Sequence, residues 1–218
     1  VETFYKDMNN VTDFADNASI FFNQDLSTEF RQGKSWAYGV EFSAQKKEGR
    51  VTGFLNYTYS RVMRKVPGVN GGMAFPANYD RRNSFNVAAV YDLNERWSFG
   101  ADFVYGTGRP ITVPSGRYEF GGLYQPDLIT ERNGYRLPAY HRADISATLT
   151  PKNKKQRKWQ GQYVFSLYNM YSRKNPFSLY TRVRQDDEGN IIGNGTEKEA
   201  RMIYLFPILP SITYNFKF

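Results

Sequence analysis

The stretch LFPILPSITYNFKF, Leu205 to Phe218, decides the fold. From Pro210 onward, Pro210, Ile212, Tyr214, Phe216 and Phe218 fall on one face, and Ser211, Thr213, Asn215 and Lys217 on the other. A period of two residues is the mark of a strand. Three of the last five residues are aromatic and share one face. Such a row is costly in water. It is favourable in a bilayer, where a barrel strand turns an apolar band with interfacial aromatics outward and keeps its other face polar. The stretch therefore reads as the closing strand of a transmembrane β-barrel.

Composition supports that reading. The 218 residues include 17 Tyr, 17 Phe and 3 Trp against only 40% hydrophobic residues, whereas a soluble core leans on Leu, Ile and Val. The aromatics are spread evenly, so the chain reads as one unit, 1–218. No run approaches the roughly 18 apolar residues of a membrane helix, which leaves the barrel as the way to satisfy a backbone in lipid. The absence of cysteine excludes disulfides and thiolate metal sites. A net charge of +8 would suit nucleic acid or an acidic partner. The basic residues, however, are scattered through turns and loops and form no surface interleaved with aromatics, so nucleic acid is not an expected partner. The opening Val1-Glu2-Thr3-Phe4-Tyr5 carries no signal peptide and already reads as strand, so the sequence is expected to belong to something longer.

Working back from the closing strand, alternation recurs. Val1 to Met8 alternates weakly and is followed by a polar stretch to Gly33. Tyr38, Val40, Phe42 and Ala44 then share a face, and Lys46-Lys47-Glu48-Gly49 turns the chain into Val51, Gly53, Leu55, Tyr57 and Tyr59. Residues 63–81 are rich in Gly, Pro and Asn without a period and read as a long loop. Phe85, Val87, Ala89, Tyr91 and Leu93 form the next apolar face. Asn94-Glu95-Arg96 connects them to Trp97, Phe99, Ala101, Phe103 and Tyr105. After a second long loop, 107–138, come Ile145, Ala147 and Leu149, a basic turn from Pro151 to Arg157, and Trp159, Gly161, Tyr163, Phe165 and Leu167. A third long excursion, 172–204, with a hairpin tip at Asp187-Glu188-Gly189-Asn190, precedes the closing strand. This predicts about eight antiparallel strands. Their connections alternate short and long, with Trp97, Trp159 and Phe218 at the short-turn rim, as in outer-membrane barrels. A soluble all-β sandwich shows similar short strands. The one-sided aromatics and the unequal loops speak against it.

Four motifs stand in order before that strand: Tyr79-Asp80-Arg81-Arg82, Gly106-Thr107-Gly108-Arg109-Pro110, Leu137-Pro138-Ala139-Tyr140-His141-Arg142-Ala143-Asp144 and Asn169-Met170-Tyr171-Ser172-Arg173-Lys174-Asn175-Pro176. Together they closely resemble the C-terminal barrel of TonB-dependent outer-membrane receptors, most of all those of Bacteroides-type bacteria. Asn83 departs from a common His after the paired arginines, and Ser172 from a common Asn; neither disturbs the alternation. The resemblance implies a barrel of 22 strands, of which this chain supplies the last eight, the N-terminal strands and the plug lying upstream. It implies residence in the outer membrane of a Gram-negative bacterium. Its expected partners are the membrane lipid, the protein's own N-terminal plug domain, the energy-coupling protein TonB and an unknown nutrient ligand.

The residues offer little catalytic chemistry. His141, the single histidine, falls on the opposite face from Arg142 and Asp144, so the three do not form one constellation. It is expected to be an interfacial residue at the outer end of a strand. Arg142 and Asp144 share the lumen face, with Glu41, Asp92 and Asp102 as carboxylate partners for a lumen ion-pair network. Asp186-Asp187-Glu188-Gly189-Asn190 lacks the alternating oxygen ligands of a calcium loop, and Gly106-Thr107-Gly108-Arg109-Pro110 is followed by no Gly-Lys-Ser/Thr and no helix. No metal, cofactor or enzyme activity is expected. Ligand contacts are expected from the long loops, at Tyr79, Arg81, Arg109, Tyr118, Tyr124, Tyr135 and Arg136, since aromatic and arginine side chains give broad contact and bidentate grip. The leading expectation is uptake of a scarce nutrient, such as a metal chelate, cobalamin or glycan. The alternative is a self-contained eight-stranded barrel serving as anchor or adhesin.

Overall fold

A computed structural model describes residues 1–16, 18, 25–113, 116–120, 123–127, 131–152, 160–192 and 198–217. Its strands, in chain order, are β1 (Glu2–Phe14), β2 (Phe30–Lys46), β3 (Val51–Lys65), β4 (Phe75–Pro76), β5 (Asn83–Asp92), β6 (Trp97–Gly106), β7 (Pro110–Ile111), β8 (Gly116–Phe120), β9 (Leu123–Asp127), β10 (Tyr135–Arg136), β11 (Tyr140–Leu149), β12 (Gln160–Tyr168), β13 (Pro176–Val183), β14 (Lys198–Tyr204) and β15 (Leu209–Lys217). The architecture is all-β and antiparallel. The main sheet runs β1-β2-β3-β5-β6-β11-β12-β15, eight long strands each hydrogen-bonded to the next, with β4 folded back on β3. Among the described residues β1 and β15 are its two edges, and no closed barrel is formed. The pairs β7–β10, β8–β9 and β13–β14 build the long connections.

Register turns the alternation of single strands into continuous rows. Phe42 lies opposite Tyr57, Tyr57 opposite Phe85, Phe85 opposite Tyr105, and Tyr105 opposite His141. One step lower run Ala44, Leu55, Val87, Phe103 and Ala143. Nearer the closing strand, Phe99, Ala147, Phe165 and Ile212 continue the face. The opposite face carries Ser43, Asn56, Asn86, Val104 and Arg142 in one row. Because side chains alternate strictly along each strand, a one-residue slip would exchange the two faces everywhere.

The apolar face has no cover. Phe42 is 44% exposed, Phe216 59% and Ile212 73%. The buried hydrophobic residues among those described, Ala37, Val66, Val69, Phe75, Ala77 and Leu137, lie toward the long-loop end, where Val66, Val69 and Phe75 form a small cluster. A soluble sheet of this size would have buried its aromatic rows; a contiguous exposed face this large needs lipid or a partner against it.

Strand lengths divide the sheet. β5, β6 and β11 have 10 residues and β12 and β15 have 9, the length that crosses a bilayer when tilted. β1, β2 and β3 have 13, 17 and 15 residues and continue beyond that thickness at the long-loop end. Three sequence boundaries are corrected accordingly: β1 continues past Met8 to Phe14, β2 starts at Phe30 before Lys34, and β3 runs on to Lys65 in what reads as loop. The 107–138 segment holds β7 to β10, and 172–204 holds the β13–β14 ribbon with a turn in which Asp186 accepts from Gly189 N–H and donates to Asn190 O. Trp97 begins β6 at the short-turn end. Trp159, Phe218 and residues 153–157 of the basic turn lie outside the described residues. No helix among the described residues is long and apolar enough to cross a membrane.

Candidate functional site

The long-loop end of the sheet is where the side-chain chemistry concentrates. Asp80 follows β4 and is fully buried. Its Oδ1 accepts from the Val62 amide at 2.7 Å, and its carboxylate pairs with Arg136 Nη2. Arg136 Nη1 also donates to the carbonyls of Asp80 and Gly108, at 2.9 and 3.0 Å. A Cβ on Gly108 would overlap the Leu137 carbonyl oxygen, so the close approach of these two segments requires glycine. Three segments far apart in sequence, around residues 80, 108 and 136, are thereby fastened into one corner.

A second corner is built by asparagines. Asn169, in the left-handed region at φ 52° and buried, accepts from the Arg173 amide at 3.0 Å and donates to the carbonyls of Arg173 and Phe206, each at 3.0 Å. Its own N–H reaches Asp144 Oδ1 at 2.8 Å. The Asn175 side chain accepts from His141 N–H at 3.0 Å and donates to His141 O at 2.9 Å. β12 pairs with β11 only from Ile145 on, so this amide supplies at His141 the two bonds that a neighbouring strand would make.

On the inner face Arg142 is held from three sides. Its Nε donates to Asp144 Oδ2 at 2.9 Å, and Nη1 to the hydroxyls of Tyr140 (3.0 Å) and Tyr168 (2.7 Å). The guanidinium lies 4.1 Å from the Tyr168 ring centroid, a cation–π contact. Asp102 stands opposite Asp144 in register. The structure thus gathers Arg142, Asp144 and Asp102. It does not gather Glu41, which shares a row with Tyr140 but lies four strands away. Asp92 sits at the short-turn end, lining with Arg50, Arg96, Thr150 and Gln162 a concavity of about 610 Å³. His141 is on the outer face, its Nδ1 2.8 Å from the Tyr171 hydroxyl.

A strap fastens the 107–138 excursion to the sheet. Arg132 Nη2 donates to Asp13 Oδ1 at 2.8 Å and to Phe14 O at 3.0 Å, while its amide donates to Asn70 Oδ1 at 2.9 Å. Asp13 also pairs with Arg64 at 2.9 Å, and Asp16 accepts from the Asn70 amide. Asn133 Nδ2 donates to Pro76 O at 2.8 Å. The 107–138 excursion, rooted on β6 and β11, therefore reaches back to the tops of β1 and β3 and to the β4 segment.

Of the loop residues singled out from sequence, Tyr79 and Tyr135 are exposed, with Arg64 stacked over Tyr79 at 5.8 Å. Arg81 is exposed, with its guanidinium beside Gly106. Arg109 donates to Phe177 O at 3.0 Å, and Arg136 is tied to Asp80 and Gly108. Tyr118 and Tyr124 lie on β8 and β9, and their side chains fall outside the described residues. Arg132, Asn133, Asn169 and Asn175 are the fastening residues the sequence reading missed. Asn169 and Asn175 lie in a motif; Arg132 and Asn133 lie in none.

At the tip of the third excursion, Asp186 Oδ1 accepts from the amides of Asn190 (2.8 Å) and Glu188 (3.0 Å). These bonds hold its carboxyl below the usual carboxylate range and turn its oxygens inward to the turn. Among the described residues no group of His, Cys, Asp and Glu is placed to hold a metal ion. What the arrangement offers is hydrogen-bonding and stacking groups on a loop-covered inner surface.

Residues 1–184 match the family model described as TonB dependent receptor-like, beta-barrel. No curated protein and no solved structure matches the chain.

Proposed function

The chain belongs to the TonB-dependent receptor β-barrel family, a family of outer-membrane transporters, and from that premise we propose that it is the C-terminal part of a barrel that takes up one scarce nutrient, a metal chelate, cobalamin or a glycan. The observation that carries the reading is the uncovered apolar face: rows of Phe, Tyr, Val and Ile run across seven strands over a polar inner face, with few buried hydrophobic residues among those described. Lipid is the solvent that such a face fits. In this reading residues 1–218 supply the last eight of 22 strands. The plug and the remaining strands come from the preceding chain, and TonB supplies the energy. The ligand meets the loop end, with Tyr79, Arg81 and Tyr135 available to it.

The self-contained eight-stranded barrel draws support from the count of eight long strands. The open order from β1 to β15 counts against it, because unpaired edges in lipid cost several kcal/mol for each unsatisfied group. The test is growth of the host on each candidate nutrient as sole source, with and without the gene, and with TonB inactivated. Loss of growth on one nutrient in both strains is expected; growth unaffected by TonB would refute coupled transport.

A further inference from the structure

The outward face carries no charge through its middle, and its charges gather at the ends. On β2 the outward residues run Lys46, Ala44, Phe42, Val40, Tyr38, Trp36 and Lys34. Lys46 to Lys34 is twelve residues, roughly 40 Å along the strand and about 30 Å along the membrane normal at barrel tilt, the thickness of a hydrocarbon core. Lys34 thus stands at the level of the lipid headgroups on the loop side. On β3 the same face continues through Tyr59 to Arg61, Met63 and Lys65.

Here the cations are poorly matched by protein. Lys34 lies directly opposite Lys65, an arrangement that destabilises a sheet unless something negative lies between. Neither forms an ion pair with a described residue. Asp7 is the acidic residue on this part of the face, and its register partner is Trp36. Lys34, Lys65, Trp36, Tyr5 and Asp7 line a groove of about 550 Å³ that opens outward.

We propose that this groove, at the outward loop end of β1 to β3, binds the phosphate-bearing headgroup of a membrane lipid through Lys34 and Lys65, with Trp36 and Tyr5 against its acyl or sugar portion. The occupant is a lipid because the groove continues the lipid-covered face without a break. It is anionic because two cations meet one carboxylate, and a phosphate between Lys34 and Lys65 turns their repulsion into a bridge. The inference rests on the membrane-barrel reading.

The test uses the intact protein in detergent micelles, titrated with phosphatidic acid, with phosphatidylcholine of the same acyl chains, and with inorganic phosphate, bound molecules being counted by native mass spectrometry. Preferential retention of phosphatidic acid, not displaced by inorganic phosphate, is expected. Lys34→Gln with Lys65→Gln should lower the preference roughly 30-fold, two cations at the usual strength of a headgroup contact. Lys34→Arg with Lys65→Arg should keep it, which separates charge from folding, and Lys46→Gln at the other end should leave it unchanged. No preference in the wild type, or one untouched by the double Gln variant, would overturn the groove. Full displacement by inorganic phosphate would overturn the lipid assignment. Labelling of Phe165→Cys by a water-soluble thiol reagent in membranes tells the two readings apart: a protected thiol without lipid preference sinks the groove alone, and a labelled one sinks the membrane reading.

Discussion

Arg136 donates through Nη2 to the carboxylate of Asp80, a residue 56 positions away with no exposed surface, and through Nη1 to the Asp80 carbonyl. Asp80 in turn holds the Val62 amide of β3, so one carboxylate ties a strand top to the 107–138 excursion. Asp80→Ala leaves the Arg136 charge and the Val62 N–H without their partner. The expected cost is about 3 kcal/mol, the low end for a broken buried ion pair because Arg136 keeps a solvent-facing edge. Limited proteolysis of 107–138 on intact cells measures it; cleavage no faster than wild type would show that the pair does not hold the loop.

Much of the sheet is legible in the sequence because each lipid-crossing strand separates an apolar from a polar environment. The row Phe42, Tyr57, Phe85 and Tyr105 follows from alternation alone. The upper part of β1 does not. Beyond the bilayer neither of its faces meets lipid, so no period marks Asn9 to Phe14 as strand, and Asn10, at φ 58°, makes a bulge that shifts the register between Asn9 and Val11. Such a bulge exchanges the faces midway and defeats any reading by parity. The fastening of the loops is illegible for another reason. Arg132 and Asp13 are 119 positions apart, and nothing local to either residue announces the other.

Arg132 bears on how a ligand site should be sought. Deleting 112–134 would remove a loop and also release the tops of β1 and β3, so a loss of affinity would be ambiguous. Arg132→Ala cuts the strap and leaves its length intact. Hydrogen bonds to charged groups contribute about 1.5 to 3 kcal/mol, so amide exchange in 131–136 should accelerate roughly tenfold or more. If nutrient affinity falls with it while Tyr79→Ala and Tyr135→Ala are silent, the strap acts by positioning. If those two tyrosines weaken binding and Arg132→Ala does not, the ligand is held by the exposed aromatics.

Val87 lies mid-strand between Leu55 and Phe103. Val87→Arg puts a guanidinium near the bilayer midplane and should cost about 2 to 4 kcal/mol. The same holds for Phe42, Leu55, Phe99, Phe103, Phe165 and Ile212. Refolding into bilayers across a urea series reads the loss directly. A variant as stable as wild type would place the face in water.

The turn closed by Asp186 should respond to acid. Its carboxyl is held below the ordinary carboxylate value by the amides of Asn190, Glu188 and Gly189, so the folded turn favours the ionised form. That contribution is fully present above the ordinary aspartate pKa, about 3.9, and is lost as pH falls through the depressed value. Amide exchange at Asn190 should therefore stay protected at pH 5 and lose protection, relative to neighbouring β13 amides, below about pH 4. Asp186→Asn should remove the pH dependence; an unchanged profile would mean that the carboxylate does not hold the turn.

Residues 1–218 alone should carry no nutrient. The sheet ends at β1 and β15, and in lipid each edge leaves a ladder of backbone groups without partners. Should the two edges meet, an eight-stranded barrel has an interior just wide enough for its own side chains. Arg142, Tyr140 and Tyr168 already project into that space and bond one another there. Neither arrangement leaves a path, so in the proposed reading transport needs further strands and a gate beyond these eight strands. Liposomes reconstituted with this segment are expected to show no saturable uptake of any candidate nutrient, while the full-length protein with a coupled energy source does. Selective, saturable passage through the segment alone would show that its eight strands are a complete channel.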